Sequence, residues 1–326
     1  MFLNGLDINY APLMEELGLK WKTEAGEEIG DILSFFRDSG SNCVRLRIWH
    51  GDSGPSRLPY ALKLAERARE VGMKIQPVIF LSDSWADLFK QPAPSGWAPL
   101  PFEDRLRHIG PYLSKVANGM KRLDDSCAYY QVGNEIDYGI CGEFAGSRYK
   151  KMRKDAEWLR NRIWRKEALV LKESIEFLRD ASDKPVALHL GKVWDLALLE
   201  SFLSAMDDFE VGHDIVCFSF YPAATGLGLD HLNALKYLGR RRGKDVAIAE
   251  YAYPSMAPSG QFWFMNKPSE GYPLTPEGQA HWVKDFLARC LELGFLGAFY
   301  WSPELYLSKN GHKGIKSPPE MPLNFG

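Results

Sequence analysis

Two glutamates in this 326-residue chain stand at the ends of short apolar runs, where a carboxylate is costly to bury unless it is paired or used. Glu135 closes Gln131-Val132-Gly133-Asn134-Glu135, and Glu250 closes Val246-Ala247-Ile248-Ala249-Glu250. Two carboxylates across one site suit glycoside hydrolysis. One, with a raised pKa, protonates the leaving oxygen; the other attacks the anomeric carbon, and a separation of roughly 5–5.5 Å gives retention. Asn134 brings an amide that can hydrogen-bond a sugar 2-hydroxyl, a contact that strengthens in an oxocarbenium-like transition state. In Cys43-Val44-Arg45-Leu46-Arg47-Ile48-Trp49 the period of two puts both arginines and Trp49 on one face and Val44, Leu46 and Ile48 on the other. The apolar face belongs against helices, so Arg45 and Arg47 point inward and need carboxylate partners. Asp7 and Glu250 are the candidates, and a guanidinium there keeps a nucleophile ionised. Ser219 and Tyr221 share a face, with Tyr221 placed to bond Glu250, and Trp301 is placed to stack on a sugar ring. His189 reaches the same end of its strand, either as a contact to sugar hydroxyls or as a structural histidine.

These residues must be positioned by strands. Apolar runs rich in Val, Ile, Phe and Tyr predict eight of them: Gly5–Tyr10, Cys43–Trp49, Lys74–Ser82, Tyr129–Ile136, Val186–Leu190, Ile215–Tyr221, Val246–Tyr253 and Gly297–Trp301. Helix-period stretches lie between them: Asp31–Asp38, Leu58–Val71, Phe102–Met120, Ala156–Arg179, Asp195–Met206, Leu229–Arg240 and Pro276–Leu293. Strand–helix alternation repeated eight times indicates an α/β fold, a single-domain (β/α)8 TIM barrel over 1–326, with ligands at the C-terminal ends of the strands. No GxGxxG follows the first strand, which disfavours a dinucleotide-binding sheet. The loops Asp83–Leu100 and Pro254–Leu274 extend the C-terminal face. The basic stretch Gly142–Arg165 reads either as a solvated helix face or as a lid or contact surface.

Composition excludes several classes. Lys and Arg number 40 against 42 Asp and Glu, with no long basic block, so nothing marks a nucleic-acid partner. No run of about eighteen apolar residues marks a membrane span. The five cysteines lack metal or disulfide spacing and read as packing thiols. No HExxH, P-loop, EF-hand or Ser-His-Asp order appears, so neither a metal nor a cofactor is expected. Met1-Phe2-Leu3-Asn4-Gly5 shows no leader, which would make a complete chain cytoplasmic and a trimmed one secreted or periplasmic. Oligomeric state is not readable. An aromatic share of 13% fits either a large core or a sugar cleft.

At these residues the sequence resembles glycoside hydrolase family 53, the arabinogalactan endo-β-1,4-galactanases, over most of its length. The motifs are Gly5-Leu6-Asp7-Ile8, Val44 to Trp49, Ser82-Asp83-Ser84-Trp85-Ala86-Asp87 with Lys90-Gln91 and Trp97, and Gln131 to Ile136. Further on come Tyr221-Pro222, Glu250-Tyr251-Ala252-Tyr253-Pro254, Pro276-Glu277-Gly278-Gln279 and Tyr300-Trp301-Ser302-Pro303. The resemblance implies a retaining hydrolase of β-galactosidic linkages in an oligo- or polysaccharide, with Glu135 as acid/base and Glu250 as nucleophile. Asp7, Arg45, Arg47, Trp49, Asp83, Trp85, Asn134, His189, Tyr221 and Trp301 would form the substrate-binding set. Phe80 stands where the family usually has histidine, Ala223-Ala224 where it has bulky aromatics, and Ser302 where it has glutamate. Conserved chemistry with an altered sugar shell is the expectation. An exo-acting or transglycosylating relative and a non-catalytic sugar-binding barrel are the alternatives.

Overall fold

Period-2 runs with one face toward helices become eight parallel strands in the computed structural model, which describes residues 1–23, 25–258 and 264–304. In chain order they are β1 Leu3–Asp7, β2 Cys43–Ile48, β3 Lys74–Ile79, β4 Tyr130–Val132, β5 Val186–Leu190, β6 Ile215–Phe220, β7 Asp245–Tyr251 and β8 Gly297–Trp301. Because β1 pairs with both β2 and β8, the sheet closes into a barrel. The crossovers carry α1 Ile32–Asp38, α2 Leu58–Glu70, α3 Phe102–Met120, α4 Arg165–Ala181, α5 Leu196–Asp208, α6 His231–Arg240 and α7 Pro276–Glu292. The expected (β/α)8 architecture is therefore the observed one.

Local chemistry starts these helices where the sequence places them. Asp31, Asp195 and Thr275 each cap a first turn by accepting a backbone N–H, from Ser34, Leu198 and Gly278. Pro276 follows Thr275 in the first turn, where its missing N–H costs nothing. Ala61, Leu64, Ala65 and Ala68 form the buried stripe of α2, which meets Val44, Leu46 and Ile48 from β2.

The barrel interior sorts by height. Leu3, Cys43, Tyr129, Ala187, Cys217, Ala247 and Phe299 make an apolar plug at the base. Above it Arg45, Gln76, Gln131 and His189 are fully buried polar groups. Phe299 fits the plug because its strand partner is Gly5; a Cβ there would fall 2.1 Å from the Phe299 ring. All five cysteines are free and buried, in keeping with a packing role. No helix among the described residues is long and apolar enough to cross a membrane.

Several expected boundaries differ from the structure: β3 ends at Ile79 rather than Ser82 and β7 at Tyr251 rather than Tyr253, and three further differences have a local cause. β1 ends at Asp7 rather than Tyr10, since Ala11–Glu16 forms a short helix with proline in its first turn. β4 stops at Val132 because the chain turns through positive φ at Gly133 (73°) and Glu135 (49°). The helix expected from Ala156 to Arg179 is an α-turn Ala156–Leu159, a π-turn Arg160–Trp164 and then α4. Part of the loop Pro254–Leu274, at 259–263, lies outside the described residues.

A Gly5→Val substitution should lower stability by about 2–3 kcal/mol through overpacking. Adding Phe299→Ala should recover part of that loss, as measured by urea denaturation of the single and double variants.

Candidate active site

Glu250 reaches the barrel mouth through a bulge. Phe218 pairs with Ile248 but Ser219 pairs with Glu250, so β7 holds one extra residue, Ala249. Both Ala249 and Glu250 thus face inward, against the period of two. The Glu250 carboxylate accepts from Arg45 Nη1 at 2.8 Å and from the Tyr221 hydroxyl at 2.8 Å. Arg45 also donates to Asp7 at 2.6 Å and to Asn134 Oδ1 at 2.8 Å. Burial raises the Glu250 pKa; Arg45, the Tyr221 hydrogen bond and Arg47 oppose that, Asp7 adds to it, and the net direction is upward.

Glu135 sits opposite in a different environment. Its left-handed backbone, a conformation that costs a non-glycine residue about 1 kcal/mol, turns the side chain into the mouth. It accepts from Ser219 Oγ at 2.5 Å and from the Leu88 backbone N–H at 3.1 Å, and it forms no ion pair among the described residues. Burial, then Glu250 and Asp87, push its pKa up to about 8. With the Ser219 proton committed to Glu135, His189 Nε2 donates to Ser219 Oγ at 2.9 Å; burial and Arg45 keep that imidazole neutral.

The chain closes tightly round Glu135. Asp137 accepts from the Gly191 and Lys192 backbone N–H groups at 2.7 and 2.9 Å, fastening the segment after β5 beside it. A Cβ on Gly191 would lie 2.7 Å from the Glu135 carboxyl carbon, so only glycine leaves the acid its place. Asp137 and Gly191 were not anticipated, since their pairing spans 54 residues.

Both carboxylates open on a cavity of about 400 Å³. Trp85, Tyr221 and Trp301 also line it, as do Ser219 and Gly191; Leu88, Phe89, Val193, Trp194, Phe264 and Met265 make its walls mainly apolar. Of the candidate substrate contacts, the structure brings Trp85, Tyr221 and Trp301 to the wall with the two glutamates. Asp7, Arg45, Arg47, Asn134 and His189 are instead fully buried in the layer beneath. Asn134 Nδ2 donates to the Ala86 carbonyl at 3.1 Å and its Oδ1 accepts from Arg45, so one amide N–H and the oxygen are engaged with protein. His189 is likewise structural: its Nε2 donates to Ser219, which leaves Nδ1 to accept from Gln131 Nε2 at 3.3 Å. Trp49 is 2% exposed and packs edge-on against Phe80, below the cavity, so it offers no face to a sugar. Asp83 lies off the cavity wall, accepting from Ser95 and paired with His50 at 2.7 Å, where it anchors the loop after β3. Trp97 packs against His50 and His108 in the same anchor.

The departures acquire physical reasons. Phe80, in the usual histidine place, supports Trp85 from below at 6.0 Å. Arg47 stacks on the Trp85 ring at 4.8 Å and holds it against the mouth. Ala224 and Thr225 share a wall with Phe264 and Met265, so apolar groups from the loop after β7 stand near the missing aromatics. The carboxylate absent at Ser302 recurs at Glu304, which accepts the Tyr10 N–H at 2.9 Å; burial pushes it up to about 8. No group of metal-binding side chains occurs among the described residues.

A closed parallel barrel with one protonated carboxyl and one cation-paired carboxylate across its mouth is the frame of a glycoside hydrolase. The sequence profile of glycosyl hydrolase family 53 matches residues 3–319, and the chain belongs to that family. An endo-beta-1,4-galactanase of Bacillus subtilis (strain 168) is 28% identical over 318 residues, covering 93% of this chain and 70% of its own. A Niallia circulans protein, described as uncharacterized in the bgaB 5' region, is 30% identical over 321 residues, covering 94% and 85%. The GH53 catalytic domain of Ignisphaera aggregans superposes with a TM-score of 0.77 at 26% identity, covering 92% of this chain and 84% of that one.

The raised Glu135 pKa has a thermodynamic sign. Between the ordinary carboxylate range and about 8 the folded protein keeps a proton that the unfolded chain has released, so stability falls as pH rises through that window. Glu135→Gln removes this loss. Its melting temperature should exceed that of the wild type by several degrees at pH 8 and by little at pH 4.5, as read by calorimetry at both pH values.

Proposed function

We propose that this chain hydrolyses β-1,4-galactan, or the galactan part of arabinogalactan, by retaining double displacement, and that 1–326 act as one catalytic domain. The observation that carries the mechanism is the unequal setting of the two carboxyls. Glu250, held by Arg45 and the Tyr221 hydroxyl, is the nucleophile that attacks the anomeric carbon. Glu135, pushed up to about 8, gives its proton to the departing glycosidic oxygen. Once the leaving sugar has gone, the same carboxylate takes a proton from the water that releases the glycosyl-enzyme. Trp301 and Trp85 offer ring faces to the substrate, and Arg45 and the Tyr221 hydroxyl each hold one Glu250 oxygen, which fixes the carboxylate's orientation. The galactanase relatives support the choice of substrate, and the match over 3–319 supports one catalytic unit.

A second reading has its own observation. The cavity is at the small end of ligand sites, which run from about 300 to 1,000 Å³. Phe89, Trp194, Phe264 and Met265 wall it. That shape favours a short oligosaccharide or exo action, or transfer to a second sugar, over an open polymer cleft.

Glu250→Ala and Glu135→Ala should each lower kcat on β-1,4-galactan by at least about 1,000-fold while keeping the wild-type fold by circular dichroism. Proton NMR of the first product should show the β-anomer; the α-anomer first would exclude retention. Product length on the polymer separates endo from exo cleavage.

The alkaline limb of kcat/KM should fall near pH 8, because Glu135 must be protonated when substrate binds. The Ser219 hydrogen bond lowers that pKa, so Ser219→Ala should move the limb upward. A limb that stays in place removes Glu135 from the acid role.

A further inference from the structure

The segment between β4 and α4 concentrates charge that the catalytic reading does not use. Nine of the 40 Lys and Arg and two of the 42 Asp and Glu fall in 147–166, leaving 31 against 40 in the rest of the chain. Arg148, Lys150, Lys151, Lys154, Arg162 and Arg165 are exposed and take no ion pair among the described residues, whereas Arg160 and Lys166 pair with Asp208 and Glu143. A solvated helix face would intersperse opposite charges to support itself. Here Asp155 is spent capping the turn at Ala156, accepting the Trp158 N–H at 2.9 Å. Among the cations, Tyr149 is 38% exposed and stands beside Trp158 with ring centroids 5.1 Å apart.

This surface is tied to the active site. The Arg153 guanidinium lies 4.7 Å over the Tyr138 ring and 5.0 Å over Phe144, and it donates to the Ala145 carbonyl at 2.6 Å. Tyr138 follows directly on Asp137, the residue that fastens Gly191 against Glu135. Lys192 approaches the same ring at 5.5 Å. The basic segment is therefore clamped onto the loop that carries the proposed acid.

We propose that 147–166 docks acidic sugar residues of the glycan whose neutral part enters the cavity. The exposed Tyr149 ring, beside the half-buried Trp158, takes the face of a pyranose ring, and the cations around it pair with carboxylate or sulfate groups. The glycan in this proposal rests on the glycosidase reading. A duplex nucleic acid or an anionic membrane would extend beyond the patch and meet the negative excess of the remaining chain, whereas a few acidic sugars within about one Debye length, roughly 10 Å, meet the patch alone.

Native gel electrophoresis through polygalacturonate, and separately through a sulfated galactan, tests the proposal without turnover. Wild-type protein should be retarded by at least one acidic polymer, and the polymer that retards it more identifies the acidic group. R148E/K151E/K154E should weaken that retention at least tenfold while hydrolysing an aryl β-galactoside at the wild-type rate. Tyr149→Ala should weaken it several-fold at constant salt; unchanged retention would reduce the surface to bare charge and overturn recognition of a sugar. No retardation by either polymer, or tighter binding to duplex DNA or to phosphatidylserine vesicles, overturns the proposal. Retention without hydrolysis of any β-galactoside would sink the galactanase reading and leave the docking surface standing.

Discussion

Arg45 carries its charge inside the barrel with no access to water, and the mouth is organised around making that tolerable. A bare guanidinium in such a place costs several kcal/mol, and only close, hydrogen-bonded partners repay it. Asp7 from β1, Glu250 from β7 and Asn134 beyond β4 all converge on its two terminal nitrogens. Three distant strands are thereby fixed relative to one another by one side chain. The same requirement keeps Glu250 beside a cation, so the condition for burying Arg45 is also the condition for a negatively charged nucleophile. Arg47 extends the arrangement outward: Asp7 is 3.5 Å from it, and Trp85 lies over its plane. Charge in the interior and an aromatic at the surface are parts of one column.

Glu135 is governed by the opposite principle. It is surrounded by a hydroxyl, a peptide N–H and the bare backbone of Gly191, with carboxylates as its charged neighbours. Ser219 links the two halves, because it donates to Glu135 while its backbone pairs in register with Glu250. Two identical side chains thus acquire different proton affinities from what the barrel puts beside each.

Much of this was legible because it follows from strand periodicity. Arg45 and Arg47 alternate with Val44, Leu46 and Ile48, and only one face of a barrel strand can receive guanidinium groups. The two glutamates were legible because an acidic residue after an apolar run has few other uses. Aromatics were less tractable. Trp49, at the end of β2, looks in sequence like Trp301 at the end of β8, yet the fold of the loop after β3 places Phe80 and Trp85 over the former. Asn134 resembled a sugar ligand, and nothing in its neighbours along the chain showed that Arg45 and the Ala86 carbonyl would also bind its amide. Glu304 and Tyr10, 294 residues apart, meet only when the barrel closes. Pairings set by ring closure leave no local trace.

The extra residue in β7 couples strand length to chemistry while leaving architecture free. Barrel closure depends on eight strands pairing at both edges, and β7 pairs with β6 on either side of Ala249. The same residues paired without the bulge would keep the apolar content of the strand, with Ala249 still inward, yet turn Glu250 toward the helical layer and leave Arg45 short of one partner. A one-residue slip in the pairing of β7 therefore separates a folded barrel from a working one.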